Sequence, residues 1–112
     1  MNVILKGLQA ALSLIETNGW WDGQTRMTAP RDASLNTMCV VTATYWAGSD
    51  SEETSRYESE RELQFPLWLA LPEECRTRLG RTKDLIAFND SRTEADVKDL
   101  FARAIAAEIA KS

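Results

Sequence analysis

Residues 93–110 read TEADVKDLFARAIAAEIA, and this stretch carries the strongest helix signal in the chain. Thr93 and Asp96 approximate a capping box, in which each side chain closes the first turn of a helix. Six apolar residues then recur at helical spacing and mark one buried stripe: Val97, Leu100, Phe101, Ala104, Ile105 and Ile109. The stretch therefore predicts a long amphipathic helix that packs its apolar face on a core.

The start of the chain shows the same periodicity. Apolar residues at positions 4, 8, 11, 12 and 15 predict a helix over residues 3–18. Asn18-Gly19 is expected to end it, because glycine adopts the left-handed conformation that closes a helix without steric cost. The following residues 22–34 contain glycine, proline and polar turn formers, and they predict an irregular loop.

A second apolar segment occupies residues 35–46 and favours a buried central helix. Ser34 is available as the N-cap of this helix, and Gly48 is available as its terminator. The run of β-branched residues between positions 40 and 44 keeps a strand open as the alternative.

The remaining segments complete a mainly α chain. Residues 65–71 are strongly apolar, and residues 72–79 have the form of a short helix that ends at Gly80. Residues 83–89 then lead into a cluster of turn formers at residues 89–92. We expect a mainly α fold in which residues 1–112 form a single compact domain of four to five helices with irregular loops.

The composition excludes several classes of function. The 112 residues include 17 acidic and 13 basic side chains, for a net charge of -4, and no histidine. Without histidine there is no Ser-His-Asp or Cys-His catalysis and no histidine metal site. The negative charge argues against direct nucleic-acid binding, which requires neutralisation of phosphates. The glycines form no phosphate loop and the acidic pairs form no calcium loop, so no cofactor and no metal are expected.

The two cysteines and the location of the chain follow from similar arguments. No apolar run approaches the length of a membrane span and no export signal is visible, so we expect a cytoplasmic protein without membrane contact. In that compartment Cys39 and Cys75 are expected to be reduced thiols. Cys39 lies among apolar neighbours and is expected to be packed and inert, while the acids beside Cys75 oppose thiolate formation.

Residues 50–64 form an acidic tract with only two bases, Arg56 and Arg61. One interpretation is a solvated loop or exposed helix, because runs of charge usually remain in water. The other is a docking face for a partner with a basic surface. The partner-binding candidates in this tract are Asp50, Glu52, Glu53, Glu58, Glu60 and Glu62.

Two further pairs of residues are candidate binding groups. Adjacent side chains such as Trp20 and Trp21 rarely both point inward, so one ring is expected to be exposed, either as a recognition surface or as a lid on the core. Asn89 and Asp90 offer polar ligand atoms, although a turn before the last helix also explains an Asx pair. We treat the tryptophans as partner-binding candidates and Asn89-Asp90 as a ligand-binding candidate.

The order of these motifs resembles a family of small actinobacterial and bacteriophage proteins that is catalogued only as a domain of unknown function. The resemblance is carried by Gly19-Trp20, by Cys39, by Asn89-Asp90 and by Arg92-Thr93, and it spans nearly the whole chain. Thr42-Ala43, Phe88 and Ser91 stand where family members usually have Gly-Ala, Trp and Gly. The resemblance implies one domain and a phage or accessory-genome origin, and it implies no activity.

These observations predict a small non-enzymatic interaction protein that binds and modulates a host protein through its acidic and aromatic surface. Inhibition of a nucleic-acid-handling or defence complex is the expected effect, by analogy with acidic surfaces that imitate nucleic acid. One alternative is a carboxylate- or metal-dependent enzyme that uses Asp90. Another is a homo-oligomeric structural module, such as a homodimer formed through the tryptophan pair.

Overall fold

The computed structural model describes residues 3–20, 39–48 and 56–111. This part of the chain forms five α-helices, and a 3-10 turn, Glu73–Cys75, joins the third helix to the fourth. The predicted mainly α, single-domain fold is confirmed. The helices are α1 (Val3–Asn18), α2 (Val40–Gly48), α3 (Arg56–Ala70), α4 (Arg81–Ser91) and α5 (Glu94–Lys111).

One hydrophobic core joins the five helices. α2 packs against α1, α3 and α4, while α5 packs across α1 and α3. The largest side chain without solvent exposure in this core is Phe101 of α5. The most fully buried apolar residues around it are Leu8, Ile15, Val40, Leu67, Leu85 and Val97.

The two terminal helices follow their sequence signals closely. α1 ends at Asn18, and Gly19 has a φ of 94° with its N–H bonded to the carbonyl of Ile15 at 2.8 Å. At α5 the capping box is confirmed, because the Thr93 and Asp96 side chains each accept the other residue's backbone N–H at 3.2 Å. Local sequence is therefore sufficient to define both helices.

The central apolar segment is a helix and not a strand, although it begins later than predicted. α2 starts at Val40, and Gly48 is its last residue. Residues 35–38, the Ser34 cap and the predicted loop at 22–34 lie outside the described residues. In the described part, Val40 and Ala43 are fully buried. This burial explains why the segment is a helix although its β-branched residues favour a strand.

α3 joins two segments that the sequence appeared to separate. It runs from Arg56 in the acidic tract through the apolar segment to Ala70, with Pro66 inside the helix. Proline usually marks a helix boundary, which hides this helix from sequence reasoning. Leu63, Leu67 and Leu71 are buried at intervals of four residues, and this buried stripe stabilises the helix across the proline.

Two predictions around α4 are wrong. The helix expected over residues 72–79 is only a 3-10 turn, and Gly80, with a φ of 113°, precedes α4 instead of ending a helix. The turn expected at residues 89–92 is also absent, because α4 continues through Asn89 and Asp90 to Ser91. Burial of Phe88 and Asn89 against the core outweighs the turn preference of the Asx pair.

Phe101→Ala should lower the free energy of unfolding by about 3–5 kcal/mol, because the buried ring would leave a cavity. Ile109 lies on the same helix but is 54% exposed, contrary to its predicted place in the buried stripe. Ile109→Ala is therefore the matched control and should change stability by less than about 0.5 kcal/mol. Urea denaturation followed by circular dichroism measures both. Equal midpoints for Phe101→Ala and the wild type would show that α5 packs outside the core.

Candidate functional site

Asn89 is the meeting point of three segments of the chain. Its side chain has no solvent exposure, and its Oδ1 accepts the indole N–H of Trp20 at 2.9 Å and the backbone N–H of Val40 at 3.1 Å. Its Nδ2 donates to Oδ1 of Asp90 at 3.2 Å. One amide on the last turn of α4 thus connects Trp20, two residues after the end of α1, with the first residue of α2.

Cys39 lies beside this amide as the residue that caps α2. Its Sγ accepts the backbone N–H of Thr42 at 3.4 Å and contacts the Thr42 hydroxyl at 3.2 Å. Its carbonyl accepts the N–H of Ala43, the first hydrogen bond of the helix. The thiol therefore occupies the place of the Ser or Asp side chain that usually caps a helix. Cys39 is a free, buried cysteine, so packing and capping together account for its position.

The structure thus brings Trp20, Cys39, Asn89 and Asp90 together, and these residues carried the family resemblance. Both lone pairs of the Asn89 oxygen accept hydrogen bonds from within the protein, so this oxygen stabilises the packing of the three segments. Asp90 is half-buried, and any ligand contact by the Asn89-Asp90 pair would have to be made through Asp90.

A second polar group, Asp84 of α4, is buried in the same helix and was not singled out from the sequence. It is 2% exposed, and its Oδ2 accepts the indole N–H of Trp68 at 2.9 Å and the backbone N–H of Thr77 at 2.7 Å. Its Oδ1 accepts the Thr77 hydroxyl at 2.5 Å. The hydrogen bonds from Thr77, followed by the one from Trp68, hold the pKa of Asp84 below its ordinary value, against the opposing effect of burial.

The predicted partner-binding residues are only partly described. Glu62 is exposed on α3. Trp20 is half-buried, and its N–H is used inside the fold, so only part of its ring faces solvent. Glu58 and Glu60 lie in the first turns of α3, and their side chains are outside the description. Trp21, Asp50, Glu52 and Glu53 also lie outside the described residues.

An exposed aromatic surface on α3 was missed by sequence reasoning. Phe65 is 46% exposed and Leu69 is 43% exposed, one turn apart on the same helix. The Phe65 ring stacks on Trp68 with centroids 6.4 Å apart, and the Arg81 guanidinium lies 5.0 Å from the Phe65 centroid. The Arg76 guanidinium lies 5.8 Å from the Trp68 centroid. We call Phe65, Trp68, Leu69, Arg76 and Arg81 the Phe65 surface.

The spacing of the leucines in α3 is the signal that could have revealed this surface. Leu63, Leu67 and Leu71 form one buried line, which leaves Phe65 and Leu69 on a different face of the helix. That conclusion requires a continuous helix through Pro66. The sequence alone argued against such a helix.

Residues 3–20, 39–48 and 56–111 contain neither a candidate metal site nor a candidate membrane span. In these ranges no three Cys, Asp or Glu side chains group in a way that could hold a metal ion. None of the helices in the same ranges is long and apolar enough to cross a membrane.

The fold and these sites define a small, mainly α protein whose fourth helix carries two buried polar groups, each of which accepts a tryptophan N–H. The chain belongs to a family of unknown function, DUF6197, whose profile matches residues 4–107. This confirms the resemblance to an uncharacterised domain family. Comparisons with curated proteins and with solved structures gave no match.

Asn89→Ala should destabilise the fold, because it removes the acceptor for two donors from different segments. The expected loss is about 1–3 kcal/mol for each buried group left without a partner. Asn89→Asp retains an acceptor oxygen but loses the N–H that donates to Asp90 and places two carboxylates side by side, so it should also destabilise the fold at neutral pH. Ser91→Ala, at the exposed end of α4, is the control. Thermal unfolding followed by tryptophan fluorescence measures all three, and an Asn89→Ala midpoint equal to that of Ser91→Ala would contradict the role of this amide.

Asp84→Asn should change how stability depends on pH. The folded-state pKa of Asp84 is lowered, so its ionised form stabilises the fold above the unfolded pKa, and this contribution is lost as pH falls through the folded pKa. The variant should be less stable than the wild type at neutral pH, and the difference should shrink in acid. Asp99→Asn, which removes an exposed carboxylate of α5, is the control. A difference between Asp84→Asn and wild type that stays constant from neutral to acid pH would contradict the assignment.

Proposed function

We propose that this protein is a non-enzymatic interaction protein that binds and modulates another protein. The observation that carries the proposal is the Phe65 surface, where two large apolar side chains are exposed one turn apart beside two arginines. Aromatic and arginine side chains are enriched in the parts of interfaces that contribute most binding energy. A side chain of this kind is large, apolar and exposed in the free protein, and Phe65 meets these conditions.

The acidic tract adds charge to the same helix. Glu62 precedes Phe65 by three residues and Leu69 by seven, a spacing that lies along one face of a helix. An acidic end and an aromatic end on α3 would contact a partner together. We infer that the acidic end increases the rate of association and the aromatic end slows dissociation.

The proposed partner is a host protein with a basic patch, where the chain is encoded by a phage or an accessory genome. We infer a cytoplasmic location and inhibition of a nucleic-acid-handling or defence complex as the outcome. The net charge of -4 and the acidic tract support this inference, because an acidic protein competes with nucleic acid for a basic groove.

Affinity purification of the tagged full chain from its native host provides the partner for the test. Surface plasmon resonance at two salt concentrations then measures its association. The triple variant Glu58→Lys, Glu60→Lys and Glu62→Lys should slow association several-fold at low salt, because charges on a docking face steer encounter and are screened by salt. Its stability should remain nearly unchanged.

The control variant carries the same change in net charge at exposed acids elsewhere, with Glu16→Lys, Glu73→Lys and Glu74→Lys. It should slow association less than the triple variant in the tract. Equal association rates for the wild type and the tract variant would contradict the acidic docking face. Purification of the chain only with copies of itself would favour the homo-oligomeric alternative.

A further inference from the structure

An open groove of about 400 Å³ lies beside α3 and is lined by residues from α1, α3 and α4. Ile4 and Phe65 supply its apolar lining. Arg61, Arg81 and Glu62 supply its charged lining. The groove therefore offers one apolar contact area next to two guanidinium groups.

Arg81 is held in a defined position in this groove. Its guanidinium lies over the Phe65 ring, and its NH1 group donates to the carbonyl of Arg61 at 3.5 Å. The ion pairs between side chains of the described residues are Arg103 with Asp99 and Lys111 with Glu108, so Arg81 takes part in neither. A guanidinium that stacks on an aromatic ring keeps N–H groups available to bind a carboxylate.

A second groove of about 410 Å³ adjoins the first and shares Arg61 and Arg81 with it. Lys83, in the first turn of α4, adds a third positive charge there. Among the described residues that line the two grooves, Arg61, Arg81 and Lys83 are basic and Glu62 is acidic, on a protein whose net charge is -4. They form a local basic site on an acidic molecule.

We propose that these two grooves bind an acidic peptide segment of a partner protein. An apolar side chain of the segment contacts Phe65 and Ile4 in the first groove, and its carboxylates bind Arg81 and Lys83. Charge complementarity identifies the acidic chemistry, and the exposed Phe65 ring requires an apolar anchor that a phosphate group or a nucleic-acid backbone does not supply. This inference rests on the proposed protein-binding function and places two parts of one partner: its acidic segment binds the grooves beside Phe65, and its basic patch contacts the acidic residues of the tract.

The position of Glu62 determines the orientation in which the acidic peptide segment binds. Glu62 lines the first groove and is absent from the lining of the second, so it repels carboxylates from the side of α1. The acidic residues of the peptide are then directed toward Lys83 and the start of α4. The apolar anchor remains between Ile4 and Phe65.

The probe for this proposal is a phage-displayed library of random 12-residue peptides, selected on the immobilised full-length chain. Selection should enrich peptides with an aromatic or large aliphatic residue next to two or more acids. Fluorescence polarisation of one enriched peptide then gives the Kd for the wild type. Replacing its acids by the matching amides, or its apolar anchor by alanine, should each weaken binding about tenfold or more.

Arg81→Gln should weaken binding of the enriched peptide about tenfold or more, because it removes a charge-assisted hydrogen bond to a carboxylate. Arg92→Gln is the matched control, since Arg92 also lies over an aromatic ring, Phe88, at 5.2 Å but does not line either groove. The control should bind within about twofold of the wild type. Circular dichroism establishes that both variants are folded.

Several outcomes would overturn the proposal. Two of them concern the peptide itself: selection of peptides that contain no acidic residues, and equal weakening of peptide binding by Arg81→Gln and Arg92→Gln. The other two concern competitors: full displacement of the peptide by inorganic phosphate or a single-stranded oligonucleotide, and competition by a second copy of this chain. If a native partner binds Arg81→Gln as tightly as the wild type, the groove assignment fails and the protein-binding function stands. If the peptides bind as expected and no partner copurifies from the host, the proposed function fails instead.

Discussion

The hydrogen bonds of the Asn89 side chain are the constraint on which the rest of this fold depends. α1 and α2 pack directly against each other, and one polar group on α4 also joins the end of the α1 segment to the first residue of α2. The shared group is the Asn89 oxygen, which binds the indole N–H of Trp20 and the backbone N–H of Val40. Because the amide has no solvent exposure, water cannot replace either partner without opening the core.

Asp84 repeats this arrangement five residues earlier on α4. Each residue accepts one indole N–H, from Trp68 in one case and Trp20 in the other, together with one backbone N–H from a different segment. A buried indole donor needs a partner, and α4 supplies both acceptors. The short fourth helix therefore connects the start of α2, Trp20 just beyond α1, the end of α3 and the turn before α4. Its position follows from these polar contacts as much as from the burial of Leu85 and Phe88.

Sequence reasoning succeeded where local signals and tertiary packing agree. The capping box at Thr93 and the glycine after Asn18 are local, and the structure reproduces both. It failed where packing overrides local preference, as at Pro66 inside α3 and at the Asx pair inside α4. The grooves beside α3 could not be predicted at all, since they require residues from three helices whose packing the sequence does not specify. Asn89 and Asp90 were found as residues, but their helical setting and their partners were not.

The tryptophans show why the number of aromatic residues is a poor guide to a recognition surface. Trp20 and Trp68 each carry an N–H that the fold satisfies internally, so their position is explained by α4 without any external partner. Phe65 carries no polar group, and its exposure has no comparable explanation within the described residues. Burying that ring would cost nothing in lost hydrogen bonds, yet α3 directs it outward because the leucine stripe occupies the inner face. Phe65 is the aromatic side chain that lies exposed among those described, which makes it the first candidate for contact with a partner.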